Sequence, residues 1–288
     1  MNKLLVIIVT FNAGKWLERC FKSLESSSVQ PDVMVIDNGS TDGTLKWIWD
    51  HTSDNVRIHP TGENLGFGAA NNIGLRYALE QGYEYVYLLN QDAWVGPECF
   101  DRLIKAFQSS EGYGILSPLQ MQADMTHRDK YFQKHCGSRI DRSLTQIVDV
   151  PCVMASHWRL TRRCIETVGG FSPAFKHYGE DENYIYRAHW HGLRSGVVMS
   201  ATAVHDRAER RADKASRMRL KYVGCQAAVS DPGCPVVLTA IWQPVKIVGM
   251  AIRNMSWQML RYLPRYFRDL DNLLNVRREG RERGAYLL

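Results

Sequence analysis

In the segment Val33-Met34-Val35-Ile36-Asp37-Asn38-Gly39-Ser40-Thr41-Asp42-Gly43-Thr44, a short apolar run ends on an acid and passes through a dense turn signal into a helical pattern that continues to Trp49. A continuous β-branched run of this length reads as a strand covered on both faces, and the Asn/Gly/Ser/Asp cluster reads as the turn that leaves it. The unit is therefore strand, turn, helix. Upstream, Leu4 to Val9 is another such run, followed by Leu17, Cys20, Phe21 and Leu24 at helical spacing. Downstream, Val56 to His59 is a third short strand. Gly66 to Glu80 is a helix carrying Ala70, Ile73, Tyr77 and Ala78, and Tyr85 to Leu89 is a fourth strand. Pro97 is placed in the first turn of the next helix, where its missing N–H costs nothing.

This alternation predicts an α/β fold with a mostly parallel sheet and helices on both faces. Open sheets of that kind bind ligands beyond the carboxyl ends of their strands, where Asp37 and Asp92 both fall. Further on, Val148 to Ala155 suggests a strand, Thr161 to Val168 a helix, and Asp181 to His191 a helix that Gly192 terminates. The stretch Met121 to Cys136 has no periodic signal. From about Ala208 the pattern is arginine-rich and helical, with Trp242, Trp257, Tyr262, Tyr266 and Phe267 interleaved.

Bulk composition narrows the class. The chain has 288 residues, 45% of them apolar, enough for a large buried core. Its net charge of +6 is concentrated between Arg207 and Arg219 and between Arg253 and Arg283. No nucleic-acid motif accompanies those arginines, so no nucleic-acid partner is expected. The seven cysteines form no CxxC pair, which argues against a zinc site and a disulfide framework and for a reducing cytoplasm. The N-terminal apolar run is too short for a signal peptide. Gln243-Pro244 and Lys246 interrupt the apolar stretch Val236 to Ile252, so an integral membrane protein is not expected.

Four segments carry residues suited to chemistry. Asp37, directly after the second strand, can accept hydrogen bonds from a base or ribose, or it can simply start the turn. Gly62-Glu63-Asn64-Leu65-Gly66-Phe67-Gly68 opens the third helix, where small residues and the helix N-terminus suit a diphosphate. It is neither GxGxxG nor GxxxxGK[ST], which removes the main support for dinucleotide and P-loop readings. Asn90-Gln91-Asp92 puts a carboxylate at a strand end, where Mg²⁺ or Mn²⁺ can bridge phosphate oxygens. Tyr178-Gly179-Glu180-Asp181-Glu182 puts three acids at a helix start: capping accounts for one of them, and another can serve as a general base. His205 is a candidate late-chain metal ligand, with a structural histidine as the alternative.

The order of these segments resembles the family 2 glycosyltransferases, from Lys3 to His205. The matching pieces are Val9-Thr10-Phe11-Asn12, Asp37 to Thr44, Asn64-Leu65-Gly66-Phe67-Gly68 with Asn71, Asn90-Gln91-Asp92, Gly169-Gly170-Phe171 and Gly179-Glu180-Asp181. The resemblance implies the GT-A type of α/β fold over residues 1–207, with a nucleotide-sugar part of about 1–95, an acceptor part of about 96–207 and a basic helical region over 208–288. It implies that Thr10, Asn12, Asp37 and Asn64, together with Gly66, Asn71 and Gln91, surround the donor nucleotide. Asp92 and His205 would hold the divalent ion, and Asp181 would be the catalytic base with Glu180 beside it, inverting the anomeric centre. Asn90 stands where the family's commonest metal motif has an acid. That variant resembles the rhamnosyltransferase-type branch that builds O-antigen and other surface polysaccharides, which makes dTDP-rhamnose the leading donor. A glycan or lipid-linked acceptor, reached from the inner face of an anionic membrane by the basic tail, is the matching partner. The alternatives are a sugar nucleotidyltransferase, although Thr10 to Lys15 lacks the Gly-rich basic signature expected of one, and an inactive GT-A subunit of a polysaccharide assembly complex.

Overall fold

The structure is a computed structural model and describes residues 3–207, 213–253 and 255–287. Arg210 and Arg211 of the basic stretch lie outside the described residues. The first half is β1 (Leu4–Thr10), α1 (Leu17–Glu25), β2 (Asp32–Asp37), α2 (Thr44–His51), β3 (Val56–Pro60), α3 (Phe67–Glu80) and β4 (Tyr85–Asn90). These strands pair in parallel in the order β3-β2-β1-β4.

β1 shows why its sequence is apolar throughout. Leu5 and Ile7 join one core cluster with Ala70, Leu75 and Ala78 of α3, while Leu4, Val6 and Ile8 join another with Leu17, Cys20, Phe21 and Leu24 of α1. Successive side chains of a strand point to opposite faces, so a strand with helices on both sides has no polar face. At Gly74 the helix backbone comes so close that a Cβ would sit 2.6 Å from Ile7 Cδ1, which only glycine permits.

The second half comprises β5 (Ala93–Val95), α4 (Cys99–Ser109), β6 (Tyr113–Met121), α5 (Lys130–Ile140), β7 (Ile147–Asp149), β8 (His157–Thr161), α6 (Arg162–Val168), α7 (Glu180–Trp190) and β9 (Arg194–His205). Here the sheet is mixed. β8 lies antiparallel between β4 and β6, β9 runs parallel to β6, and β5 closes the far edge antiparallel to β9. The predicted strand over Val148 to Ala155 is a correction, because only Ile147–Asp149 pairs. Pro151 has no N–H to give a ladder, and Val150 and Val153 are buried without being strand. Pro97 likewise precedes its helix, which starts at Cys99 with Glu98 at the N-cap.

The C-terminal region is α8 (Lys214–Ser230), α9 (Val236–Arg253), a 3-10 turn (Trp257–Arg261) and α10 (Tyr262–Glu279). Tyr222, Cys225, Ile247, Met259, Tyr266 and Leu273 form its core, and Phe175 from the segment before α7 enters the same cluster. The helices therefore pack on the α/β half. Tyr266 is fully buried and Tyr262 stacks on Tyr222 at 4.5 Å, so these two aromatics serve packing, whereas Trp242 and Trp257 stay exposed.

Candidate active site

Three loops meet at the carboxyl ends of β1, β2 and β4. Thr10 Oγ1 donates to Asp37 Oδ1 at 2.9 Å, and Asp37 also accepts from Ser40 N at 3.0 Å and from Ser40 Oγ at 2.6 Å. Asp37 is almost fully buried, so its carboxylate holds the turn it was read as starting. Asn12, at a φ of +50°, donates its N–H to Ser40 Oγ and accepts from Thr41 N at Oδ1. Asparagine tolerates this left-handed conformation better than most residues. Gln91 clamps the first loop to β4, with its amide bonded to both Phe11 N and Phe11 O.

The glycine-rich loop is braced on the same turn. Asn38 Nδ2 donates to Asn64 Oδ1, Asn38 Oδ1 accepts from Leu65 N, and Asn64 Oδ1 also accepts from Gly66 N. Asn38 was not singled out from sequence; its place directly after a predicted strand end was the available signal. A Cβ on Gly66, at φ +86°, would meet Lys176 O at 2.6 Å. Asn71 is different: it is buried inside α3 and donates to Phe67 O, one turn back along its own helix. Its neighbour Asn72 exchanges two hydrogen bonds with Phe171 (2.9 and 2.7 Å), and buried Arg187 donates to Val168 O and Gly170 O. The Gly169-Gly170-Phe171 segment is thereby fixed between α3 and α7.

Asp92 follows β4, and His205 ends β9. The register Ala93↔His205 and the bond from Asp206 N to Asp92 O bring them together across more than a hundred residues of chain. His205 Nε2 lies 3.4 Å from Asp92 Oδ1, with both side chains buried. Beneath them, His157 bonds Tyr87 OH and Val204 O, and burial together with the His205 ring pushes its pKa down to about 3, leaving it neutral. Asn90 Oδ1 is buried with no hydrogen-bond partner among the described residues. One carboxylate and one imidazole suit a divalent ion that keeps positions open for phosphate and water. Among the described residues no third His, Cys, Asp or Glu joins them.

The acids at the start of α7 are a second group of titratable side chains. Gly179 at φ +88° and Tyr178 at φ +69° bend the chain into the helix. Glu180 is only 8% exposed, its Oε2 has no partner among the described residues, and burial with the neighbouring Asp181 charge pushes its pKa up to about 8. Asp181 is partly exposed. Burial raises it too, while bonds from the N–H groups of Glu182 and Ala155 and the Arg207 guanidinium pull it back. Glu182 is pushed up to about 7 by burial and Asp181, against Lys246 and Lys134.

Arg207 links the two groups. Its Nε donates to the His205 ring at 3.1 Å from Nδ1, and its charge lies close enough to Asp181 to favour the ionised form. Sequence reading counted Arg207 only as part of the basic run. The sequence model of glycosyl transferase family 2 matches residues 5–159, more than half of the chain. The chain belongs to glycosyl transferase family 2.

Within that family, the chain is 35% identical over 128 residues to an N-acetylglucosaminyl-diphospho-decaprenol L-rhamnosyltransferase of Mycobacterium tuberculosis, a match covering 41% of each protein. It is 31% identical over 129 residues to the dTDP-rhamnosyl transferase RfbF of Shigella flexneri, covering 44% of this chain and 41% of the relative. The chain thus spans about two fifths of the length of these curated relatives. The mannosyltransferase PcManGT of Pyrobaculum calidifontis, solved with GDP-Man and Mn²⁺, aligns over 97% of this chain and 86% of its own at 16% identity with a TM-score of 0.60. That likeness, at low identity, establishes the GT-A glycosyltransferase fold.

Proposed function

We propose that this family 2 member is an inverting glycosyltransferase that moves a sugar from a nucleoside diphosphate donor to a hydroxyl of a glycan or lipid-linked acceptor in surface polysaccharide synthesis. The observation that carries the reading is Arg207, bonded to His205 beside Asp92 and electrostatically engaged with Asp181. It supports reading a cation position and a carboxylate base as neighbours.

Asp181 is the better base of the acid pair, being partly exposed and held by two backbone N–H groups, whereas Glu180 is buried and protonated at neutral pH. It takes the acceptor proton as the hydroxyl attacks the anomeric carbon, and the nucleoside diphosphate leaves from the opposite face. Asp92 and His205 would hold Mg²⁺ or Mn²⁺, and such an ion would supply positive charge to offset the charge on the departing diphosphate. Thr10, Asn12, Asp37, Asn64, Gly66 and Gln91 shape the nucleotide cradle, within a donor part of about 1–95 and an acceptor part of about 96–207. Asn71 is assigned to that cradle through its helix rather than its amide, which is engaged with Phe67 O.

The two rhamnosyltransferase relatives and the Asn90-Gln91-Asp92 variant support dTDP-rhamnose as donor. The first relative's name supports a lipid-diphosphate acceptor. Work at the inner face of the cell membrane, with the basic tail towards anionic lipid, fits such an acceptor. The test is a panel of nucleotide sugars scored for thermal stabilisation and for metal-dependent hydrolysis. Stabilisation by dTDP-rhamnose above the other donors supports the reading. No response to any nucleotide sugar, with or without metal, overturns it.

A further inference from the structure

α9 turns its apolar side the wrong way for a core helix. Val237, Leu238, Ile241, Val245, Val248 and Ile252 recur at spacings of three and four and are all exposed, while Gln243, Ile247 and Ala251 face inward. The helix has 18 residues with a mean hydropathy of 1.3, yet only 17% of that stretch is buried. Trp242 on the same helix and Trp257 just beyond it are exposed, at 63% and 78%. An apolar face this long and open marks an interaction surface.

Charge selects the occupant. Arg265 and Arg268 of α10 are engaged by Asp269 at 3.5 and 3.6 Å, but Lys246 and Arg253, the only charged side chains on α9, and Arg261 on the adjoining turn are exposed. A second copy docked through α9 would find no acid on the facing helix to pair with these cations. Anionic headgroups supply that charge, and acyl chains supply the apolar partner.

The inward face decides the orientation. Gln243, Ile247 and Ala251 pack against α8, α10 and the 3-10 turn, and Tyr266 OH donates to Ala240 O at 2.7 Å. Crossing a bilayer would strip those contacts from the C-terminal core, whereas lying in its surface keeps them all. We propose that α9 is an interfacial helix, seated with its outer face among the acyl chains of an anionic leaflet and its inner face on α8, α10 and the 3-10 turn. Lys246, on the flank of α9, is also close enough to act on Glu182, the neighbour of Asp181. The acids at the start of α7 then stand near headgroup level, where an amphiphilic, lipid-anchored acceptor presents its sugar. This last step rests on the glycosyltransferase reading, but the docking does not.

The test is co-sedimentation of the full chain with phosphatidylcholine vesicles with and without phosphatidylglycerol, using Ile241→Asp/Val245→Asp and Lys246→Gln/Arg253→Gln variants. Both pairs are exposed, and thermal melting confirms their folding. Binding that requires phosphatidylglycerol, is lost in the aspartate variant and is weakened about tenfold or more in the glutamine variant is the expected result. Wild-type protein left in the supernatant overturns the proposal, as does an aspartate variant that binds undiminished or a wild-type dimer that this variant dissolves. A chain that binds vesicles through α9 yet responds to no nucleotide sugar overturns the proposed function and leaves the docking intact.

Discussion

His205 Nε2 stands 3.4 Å from Asp92 Oδ1, and neither side chain reaches solvent. Burying a carboxylate is costly unless a proton, a donor or a cation compensates it, and the imidazole supplies that partner here. Both residues also sit at strand ends, Asp92 just past β4 and His205 at the end of β9. Asp92→Ala is expected to lower metal-supported transfer about 10²–10³-fold, the scale of several kcal/mol of charge stabilisation. His205→Ala is expected to raise the Mn²⁺ or Mg²⁺ concentration needed for half-maximal rate. Transfer that survives both chelator and Asp92→Ala would remove the cation from the reaction.

Asp181→Asn separates the base from the binding machinery. The amide keeps the shape and can still accept from Glu182 N and Ala155 N, but it cannot take a proton. The expected loss in kcat is about 10²–10⁴-fold, with metal-assisted donor binding retained in a thermal-shift assay. An Asp181→Asn enzyme with normal turnover would shift the base to Glu180.

Stability should fall as the acids of α7 ionise. A carboxyl whose folded pKa is raised contributes to folding while it is protonated, fully so below its unfolded value, and that contribution is lost as pH rises through the folded value. For Glu180 the window runs from about 4.5 to about 8, and for Glu182 it closes at about 7. The melting temperature should therefore decline from pH 5 to pH 9. Glu180→Gln should flatten that slope and melt higher than wild type at pH 9. An unchanged slope in the variant would mean that Glu180 is not the buried acid responsible.

The parallel half of the fold was legible because each of its strands is a local signal. Leu4 to Val9 and Val33 to Ile36 are apolar on both faces, and each is followed by a turn or a helical period. The mixed half was not, because the insertion of β8 between β4 and β6 depends on pairing between distant segments. α5 buries little beyond Phe132, Cys136, Gly137 and Ile140, which leaves a faint period; its one clear mark was Asp129, whose carboxylate caps Tyr131 N and Phe132 N. The acids of the proposed site, Asp92 just after a strand and Asp181 at a helix start, carry local sequence signals. Arg207 could not, since its role comes from the contact of β5 with the end of β9 rather than from the arginines around it.

Pro244 and Tyr266 offer a test of the C-terminal packing on which the position of α9 depends. Pro244 lies inside α9 and has no N–H, so the carbonyl of Ala240, four residues earlier, loses its helical donor. Tyr266 OH replaces it at 2.7 Å from α10. The bond is part-buried and its net worth is about 0.5–1.5 kcal/mol, so Tyr266→Phe should destabilise the chain by roughly that amount, read as a lower denaturant midpoint at constant slope. Pro244→Ala returns an amide to the Ala240 carbonyl, so the loss from Tyr266→Phe should shrink in that background. The double-mutant cycle isolates this coupling from the other contacts of the ring. Equal losses in the two backgrounds would show that the hydroxyl is not standing in for the missing amide, and the attachment of α9 would then rest on apolar packing alone.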